Sequence, residues 1–258
     1  MHPLPTLFIS HGSPMLALEA GATTKFLRGV AGNFKRPDAI IIASAHFETK
    51  EPMVTGSAHP ATIHDFQGFP KELYQLRYPA PGSPELAGKI KDVLAKAGVA
   101  AGVDNERGLD HGAWNPLLLM YPQADIPVVE ISVQPHKNAA WHFEIGRALR
   151  KLRGENILVI GTGNLTHNLY EAMRGGHFEA PEWVTEFAEW VAGKIGHGDV
   201  KALLNWETAP HAKRNHPTPE HFLPLFVALG AADEPLQAKR LHSDTALGVL
   251  AMDAYEFG

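Results

Sequence analysis

Residues 39–46 read Ala-Ile-Ile-Ile-Ala-Ser-Ala-His, and this stretch decides the fold class. Three consecutive isoleucines make the run apolar on both faces, which suits a strand covered on both sides. Their β-branched side chains are stiff at χ1 and favour extended backbone. A buried strand is therefore expected over residues 39–43, with Pro37 and Asp38 marking its entry. Residues 6–9 (TLFI), 128–133 (VVEISV) and 157–160 (ILVI) have the same character. Helix-compatible stretches lie between them. Ser83-Pro84-Glu85 opens one of these, with Ser as N-cap, Pro in the first helical position and Gly98 closing it after Ala97. Two others span residues 139–151 and 181–195. Buried strands alternating with helices predict an α/β fold: a single domain over residues 1–258, its central sheet mostly parallel or mixed, flanked by helices, with ligands bound at the strand carboxyl ends.

Composition narrows the chemistry. The chain has 258 residues, 45% of them hydrophobic and 20% charged, enough to bury a substantial core. Its formal charge of -5 gives no general attraction to nucleic acid or an anionic membrane. With no cysteine, thiolate metal sites, iron-sulfur clusters and cysteine nucleophiles are excluded, so any metal takes nitrogen and oxygen ligands. No apolar run approaches the roughly 20 residues of a membrane helix, and no secretory leader is visible, so a cytoplasmic location is the default expectation. The 20 prolines and 24 glycines are dispersed, without a linker or a repeat. Oligomeric state is not legible. Long loops are expected over residues 48–78 and 205–217, and loops of that length in a compact domain are usually functional.

The 15 histidines carry the functional signal. His11 and His46 directly follow apolar runs, and His167 follows ILVI after Gly161-Thr162-Gly163-Asn164, read here as a tight turn. All three are expected at the rim where open α/β sheets bind ligands. A histidine ending a buried strand needs a hydrogen-bond partner or a metal. His221 follows Thr218-Pro219-Glu220, a pattern that predicts a helix start with Thr as cap and Pro in the first position. The helix dipole would then keep the imidazole neutral. Glu220 reads as a capping acid and reserve ligand. His2, His59, His136, His142, His177, His197, His211 and His242 sit in polar loops or helix-like stretches and read as structural or surface residues.

Six segments in order extend this picture: FISHGSPM, SAHFET, IHDFQGFP with YPAPGSPELA, LDHGAWNPLLLMYPQADIPVVEISVQP, GTGNLTHNL and HPTPEHFLPL. On these the chain resembles the class III extradiol ring-cleaving dioxygenases, in their DOPA 4,5-dioxygenase branch, over nearly its whole length. The resemblance implies a catecholic substrate and dioxygen as reactants. It implies His11, His46 and His221 as metal ligands, and His167 as an acid/base residue and candidate fourth ligand. It implies His111 as a catalytic and pocket residue and His64 as a substrate-binding one. Fe(II) is the implied cofactor for activity, with Zn(II) the alternative ion at the same site. The chain departs from relatives that complete an iron site with glutamate: the third position here is His221. Two other readings stay open, a zinc hydrolase and a catalytically silent metal-binding relative. The candidate cations for a substrate tail are Arg107, Lys213 and Arg214.

Overall fold

The four apolar runs pair side by side. β1 (Thr6–Ser10), β2 (Ala39–Glu48), β5 (Val128–Val133) and β6 (Ile157–Gly163) form the parallel centre of an eight-stranded sheet, in the order β5-β2-β6-β1. The computed structural model describes residues 3–175 and 179–258, so His2 and His177 lie outside the described residues. On one side, β3 (Met53–Thr55) pairs antiparallel with β5 and parallel with β4 (Gly102–Asp104). On the other, β10 (Ala254–Phe257) pairs antiparallel with both β1 and β7 (Ala238–His242), which makes the sheet mixed. β8 (Thr245–Ala246) and β9 (Leu250–Ala251) form a separate hairpin.

Side chains alternate across this sheet, so each face builds its own core. Ile40, Ile42, Leu158 and Ile160 join a cluster containing Trp114, Phe187 and Phe226. Ile41, Ala43, Val129, Ile131 and Val159 join one containing Leu86, Ile90 and Leu149. The helices supplying these residues are α3 (Pro84–Lys96), α4 (His111–Met120), α5 (Ala139–Leu149), α7 (Glu182–Gly196) and α10 (Leu223–Ala231). The other α-helices among the described residues are α1 (Ala22–Val30), α2 (Lys71–Gln75), α6 (Leu169–Arg174), α8 (Val200–Leu204) and α9 (Ala212–Asn215). The Ser83 cap forms as expected, its hydroxyl accepting from the Leu86 N–H at 3.1 Å.

Two local expectations are corrected. Gly161-Thr162-Gly163 is the end of β6 and not a turn. Its glycines serve close approach: a methyl group on Gly161 would collide with the Pro224 carbonyl, and one on Gly163 with the His221 carbonyl. The second correction concerns α10, which begins at Leu223, so His221 lies in the turn before the helix. The Phe222 N–H bonds the Pro219 carbonyl at 2.9 Å, closing that turn. Burial and neighbouring histidines, not a helix dipole, hold the His221 pKa well below its ordinary value.

His142 bears out its structural reading. Buried on α5, it accepts from the Gln134 N–H at 3.0 Å through Nε2 and donates through Nδ1 to the Asn138 carbonyl at 2.9 Å. Burial lowers its pKa to about 4. The unfolded chain therefore takes up the proton first, and the contribution is intact above the unfolded value near 6.5 and lost as pH falls toward 4. The loss is about 2 kcal/mol by pH 5. Urea midpoints should accordingly drop between pH 7 and pH 5, and drop less in His142→Gln.

Candidate metal centre and active-site cavity

β1 and β6 deliver His11 to the rim. Its N–H donates to the Gly163 carbonyl at 2.8 Å, extending the ladder by one residue beyond Ser10. β2 delivers His46 by a different device. Its pairing with β5 jumps from Ala43↔Ile131 to Glu48↔Val133, and the bulged residues between turn the strand end. The Ser44 hydroxyl holds this bulge, accepting from the His46 N–H at 3.2 Å and donating to Asp110 Oδ1 at 2.6 Å. His221 comes from the turn packed on Gly163, its carbonyl accepting from the Asn164 N–H at 2.9 Å.

These three imidazoles converge. His46 Nε2 lies 3.1 Å from His11 Nε2 and 3.3 Å from His221 Nε2. Metal–nitrogen bonds of about 2.1 Å at tetrahedral or octahedral angles require nitrogens about 3.0–3.4 Å apart, so the spacing fits one ion. The opposite ring nitrogens explain the orientation. The Thr162 hydroxyl donates to the Gly112 carbonyl at 2.8 Å and so can only accept from His11 Nδ1, at 3.1 Å. His221 Nδ1 faces Glu220 Oε1 at 3.0 Å, and His46 Nδ1 faces Asp65 Oδ2 at 3.4 Å. With each proton on Nδ1, three Nε2 lone pairs point at one another without a proton between them, an arrangement a cation relieves. Burial, with repulsion among the rings, pushes His46 down to about 4 and His11 well below the ordinary range, so both stay neutral at pH 7. Glu220, expected as a cap, instead accepts from the His221 ring and the Thr218 hydroxyl.

His167 and His111 flank the triad. The His167 ring stacks on His221 with centroids 3.4 Å apart and planes at 10°. Burial and three nearby histidines lower its pKa to about 3. His111 opens α4 behind the Asp110 cap, its ring centroid 4.0 Å from that of His46. Its N–H and Nδ1 both donate to Asp65 Oδ1, at 3.0 and 2.9 Å. Burial works to raise Asp65, but the hydrogen bonds and charge of His111, followed by His46, outweigh it and hold the carboxyl at about 2. Asp65 thus ties the two rings together, and the sequence reading did not single it out. Its only signal was the IHDF segment.

The five histidines 11, 46, 111, 167 and 221 open onto one cavity of about 880 Å³. His64 does not line it: its Nε2 faces the Leu76 carbonyl at 3.1 Å, and its ring lies near Phe66 and Trp114. The candidate tail-binding cations are also elsewhere. Arg107 lies over the Phe47 ring, 4.0 Å from its centroid, and donates to Asp110 Oδ2 at 2.8 Å and to the His46 carbonyl at 3.3 Å, bracing the bulge. Arg214 pairs with Glu171 at 2.9 Å, and Lys213 borders a different depression beside Trp206.

Comparison with known proteins gives a consistent family. Residues 5–251 match the model described as the catalytic LigB subunit of aromatic ring-opening dioxygenase. A Beta vulgaris protein named 4,5-DOPA dioxygenase extradiol is 44% identical over 98% of this chain and 96% of its own length. A protein of the same name from Escherichia coli (strain K12) is 43% identical over 90% of this chain and 88% of its own. The crystal structure of an uncharacterized protein from Escherichia coli K12 superposes with a TM-score of 0.84 at 36% identity, covering 99% of this chain and 100% of that one.

Proposed function

The chain belongs to the family of the catalytic LigB subunit of aromatic ring-opening dioxygenases, and on that premise we propose that it is an iron(II)-dependent extradiol dioxygenase of a DOPA-like catechol. The observation that carries this reading is the set of three mutually facing Nε2 atoms, 3.1 and 3.3 Å apart, at the floor of a cavity large enough for an aromatic substrate. In this reading residues 1–258 work as one catalytic domain, and His11, His46 and His221 hold the ion. A bound iron(II) supplies a meeting point for the catechol oxygens and dioxygen and lowers the pKa of the catechol hydroxyls.

The remaining steps belong to side chains. Neutral His167, kept unprotonated by burial, accepts a proton from one catechol hydroxyl. His111 donates through Nδ1 to Asp65, which fixes its ring with Nε2 directed away from that carboxylate. Once protonated, His167 returns its proton to a departing oxygen as the ring opens. The Phe66 ring, edge-on to His111 with centroids 5.6 Å apart, gives the cavity an apolar aromatic wall for the substrate ring. Overall, catechol and dioxygen combine without loss of atoms: the carbon–carbon bond outside the diol breaks, one carbon becoming an aldehyde and the other a carboxylate.

Protein loaded with iron under anaerobic conditions should take up one equivalent of oxygen per catechol and form a yellow semialdehyde. Zinc-loaded protein should take up none, because zinc has no redox chemistry. Ester or amide hydrolysis by the zinc form, with no oxygen uptake by the iron form, would instead establish the hydrolase reading. Catechol affinity without turnover by either would establish the silent relative.

A further inference from the structure

The described lining of the histidine cavity includes three carboxylates, Glu19, Asp65 and Asp244, and no lysine or arginine. Asp65 is committed to the His46 and His111 rings. The other two are free to meet a ligand. Glu19 is exposed, and its side chain makes no hydrogen bond or ion pair among the described residues. Asp244 is exposed but held in place: its Oδ2 accepts from the Thr23 hydroxyl at 3.1 Å and its Oδ1 from the Thr245 N–H at 2.8 Å. No lysine or arginine among the described residues pairs with either acid. Both hang on the His11 side of the cavity. Gly12 sits against the Met252 side chain, and the Met252 N–H donates to the Asp244 carbonyl at 2.9 Å. The Glu19 N–H donates at 3.0 Å to the carbonyl of Met15, another lining residue. Thr24 adds an independent sign. It lines the same cavity, is only 3% exposed, and its hydroxyl has no hydrogen-bond partner among the described residues. A buried hydroxyl left unpaired is uncommon in a folded chain and costs stability, so one beside a cavity points to a bound group that completes it.

Charge and donor count indicate the occupant. Two carboxylates and a hydroxyl offer several acceptors to one cation with several N–H donors, which describes a primary ammonium group. A carboxylate in the same place would be repelled by both acids and would find no cation, since Arg107, Lys213 and Arg214 all lie outside the cavity. At about 880 Å³ the cavity nears the upper end of small-molecule sites, roughly 300–1,000 Å³, with room for a ring at the histidines and an arm beyond it. We infer that Glu19, Asp244 and Thr24 form a subsite for a primary ammonium group on the side arm of the catechol, so that the cavity selects its substrates by their amine and not by a carboxylate. The inference rests on the dioxygenase reading for the identity of the ring and deepens it: of the two charged groups on a DOPA-like arm, the ammonium is the one recognised.

The test uses catechols that differ mainly in the charge of the arm: dopamine, 4-ethylcatechol, 3,4-dihydroxyphenylpropanoate and DOPA. Oxygen uptake by the iron-loaded protein gives kcat/KM, and titration of the zinc-loaded protein gives affinity. At low salt dopamine should exceed the propanoate by roughly tenfold or more in both, because an exposed ion pair contributes roughly two- to fivefold and the propanoate turns attraction into repulsion. 4-Ethylcatechol should fall between them, DOPA should not exceed dopamine, and high salt should compress the spread. Glu19→Gln combined with Asp244→Asn should narrow the dopamine-to-propanoate ratio several-fold. Thr24→Val should melt no lower than the parent, since it removes an unpaired hydroxyl, and should still weaken the preference for dopamine, a change that a purely structural Thr24 would not produce. Higher affinity for dopamine without oxygen uptake on any catechol would overturn the dioxygenase reading and leave the subsite standing. Normal turnover with no preference among the arms, or with the propanoate favoured, would overturn the subsite. A preference for dopamine that the double variant keeps, or DOPA favoured tenfold over dopamine, would overturn it as well.

Discussion

His46→Ala is expected to fold and to bind metal at least 100-fold more weakly than the parent, with ring-opening activity lost to the detection limit. The expectation follows from two features of the site. His46 Nε2 lies within 3.3 Å of both other candidate ligands, so its removal leaves two nitrogens without the third corner. Changing a residue that merely orients a ligand already costs about 10–100-fold in metal affinity, and loss of a ligand costs more. The fold should survive because removing this ring relieves lone-pair repulsion among neutral imidazoles. A thermal shift separates the effects. At a metal concentration about 100 times Kd, a ligand that binds only the folded state contributes about 2.7 kcal/mol, which raises the melting midpoint of a domain this size by roughly 5–10 °C. The parent should show that rise with iron or zinc and lose it with chelator, while His46→Ala should show neither change. Stoichiometric metal in purified His46→Ala would contradict the assignment.

His167→Ala is the complementary experiment. Its ring stacks flat on His221, and it falls outside the group formed by His11, His46 and His221 while sharing a second possible ligand set with Glu220 and His221, a position beside the ion that suits a proton carrier. Metal content should stay near one per chain, while kcat at equal metal loading should fall by about 100-fold or more, the usual contribution of a positioned general acid or base. Metal content and single-turnover product yield, measured on the same preparation, decide the matter. If the variant loses its metal, His167 becomes a fourth ligand, and the proton role passes to His111.

How far this site could be read from the sequence varies with the physics of each element. The parallel centre was legible because β1, β2, β5 and β6 are buried on both faces, and continuous apolar runs such as Ile40–Ile42 report that directly. The placement of His11 and His46 followed from the same strands. Helix α4 was not legible: Pro116 and Gly112 interrupt its pattern and it is buried nearly all round, so no amphipathic period marks it. Gly161 and Gly163 were misread because a glycine needed for close packing looks, in one dimension, like a glycine needed for a turn. Arg107 and Asp65 lie in loops whose conformations are set by distant contacts, one with the β2 bulge and the other with two histidines. The roles of such residues appear only when those partners are in place. His64 shows the same limit in reverse, since its motif suggested the cavity while its ring packs behind the wall.

Anomalous diffraction from crystals loaded with iron or zinc tests most directly whether His11, His46 and His221 share one centre. The expected result is a single strong peak about 2.1 Å from the Nε2 atom of each of these residues, with His167 beyond bonding distance. A peak bonded to a different set, or no peak among the three rings in protein shown by assay to carry metal, would contradict it.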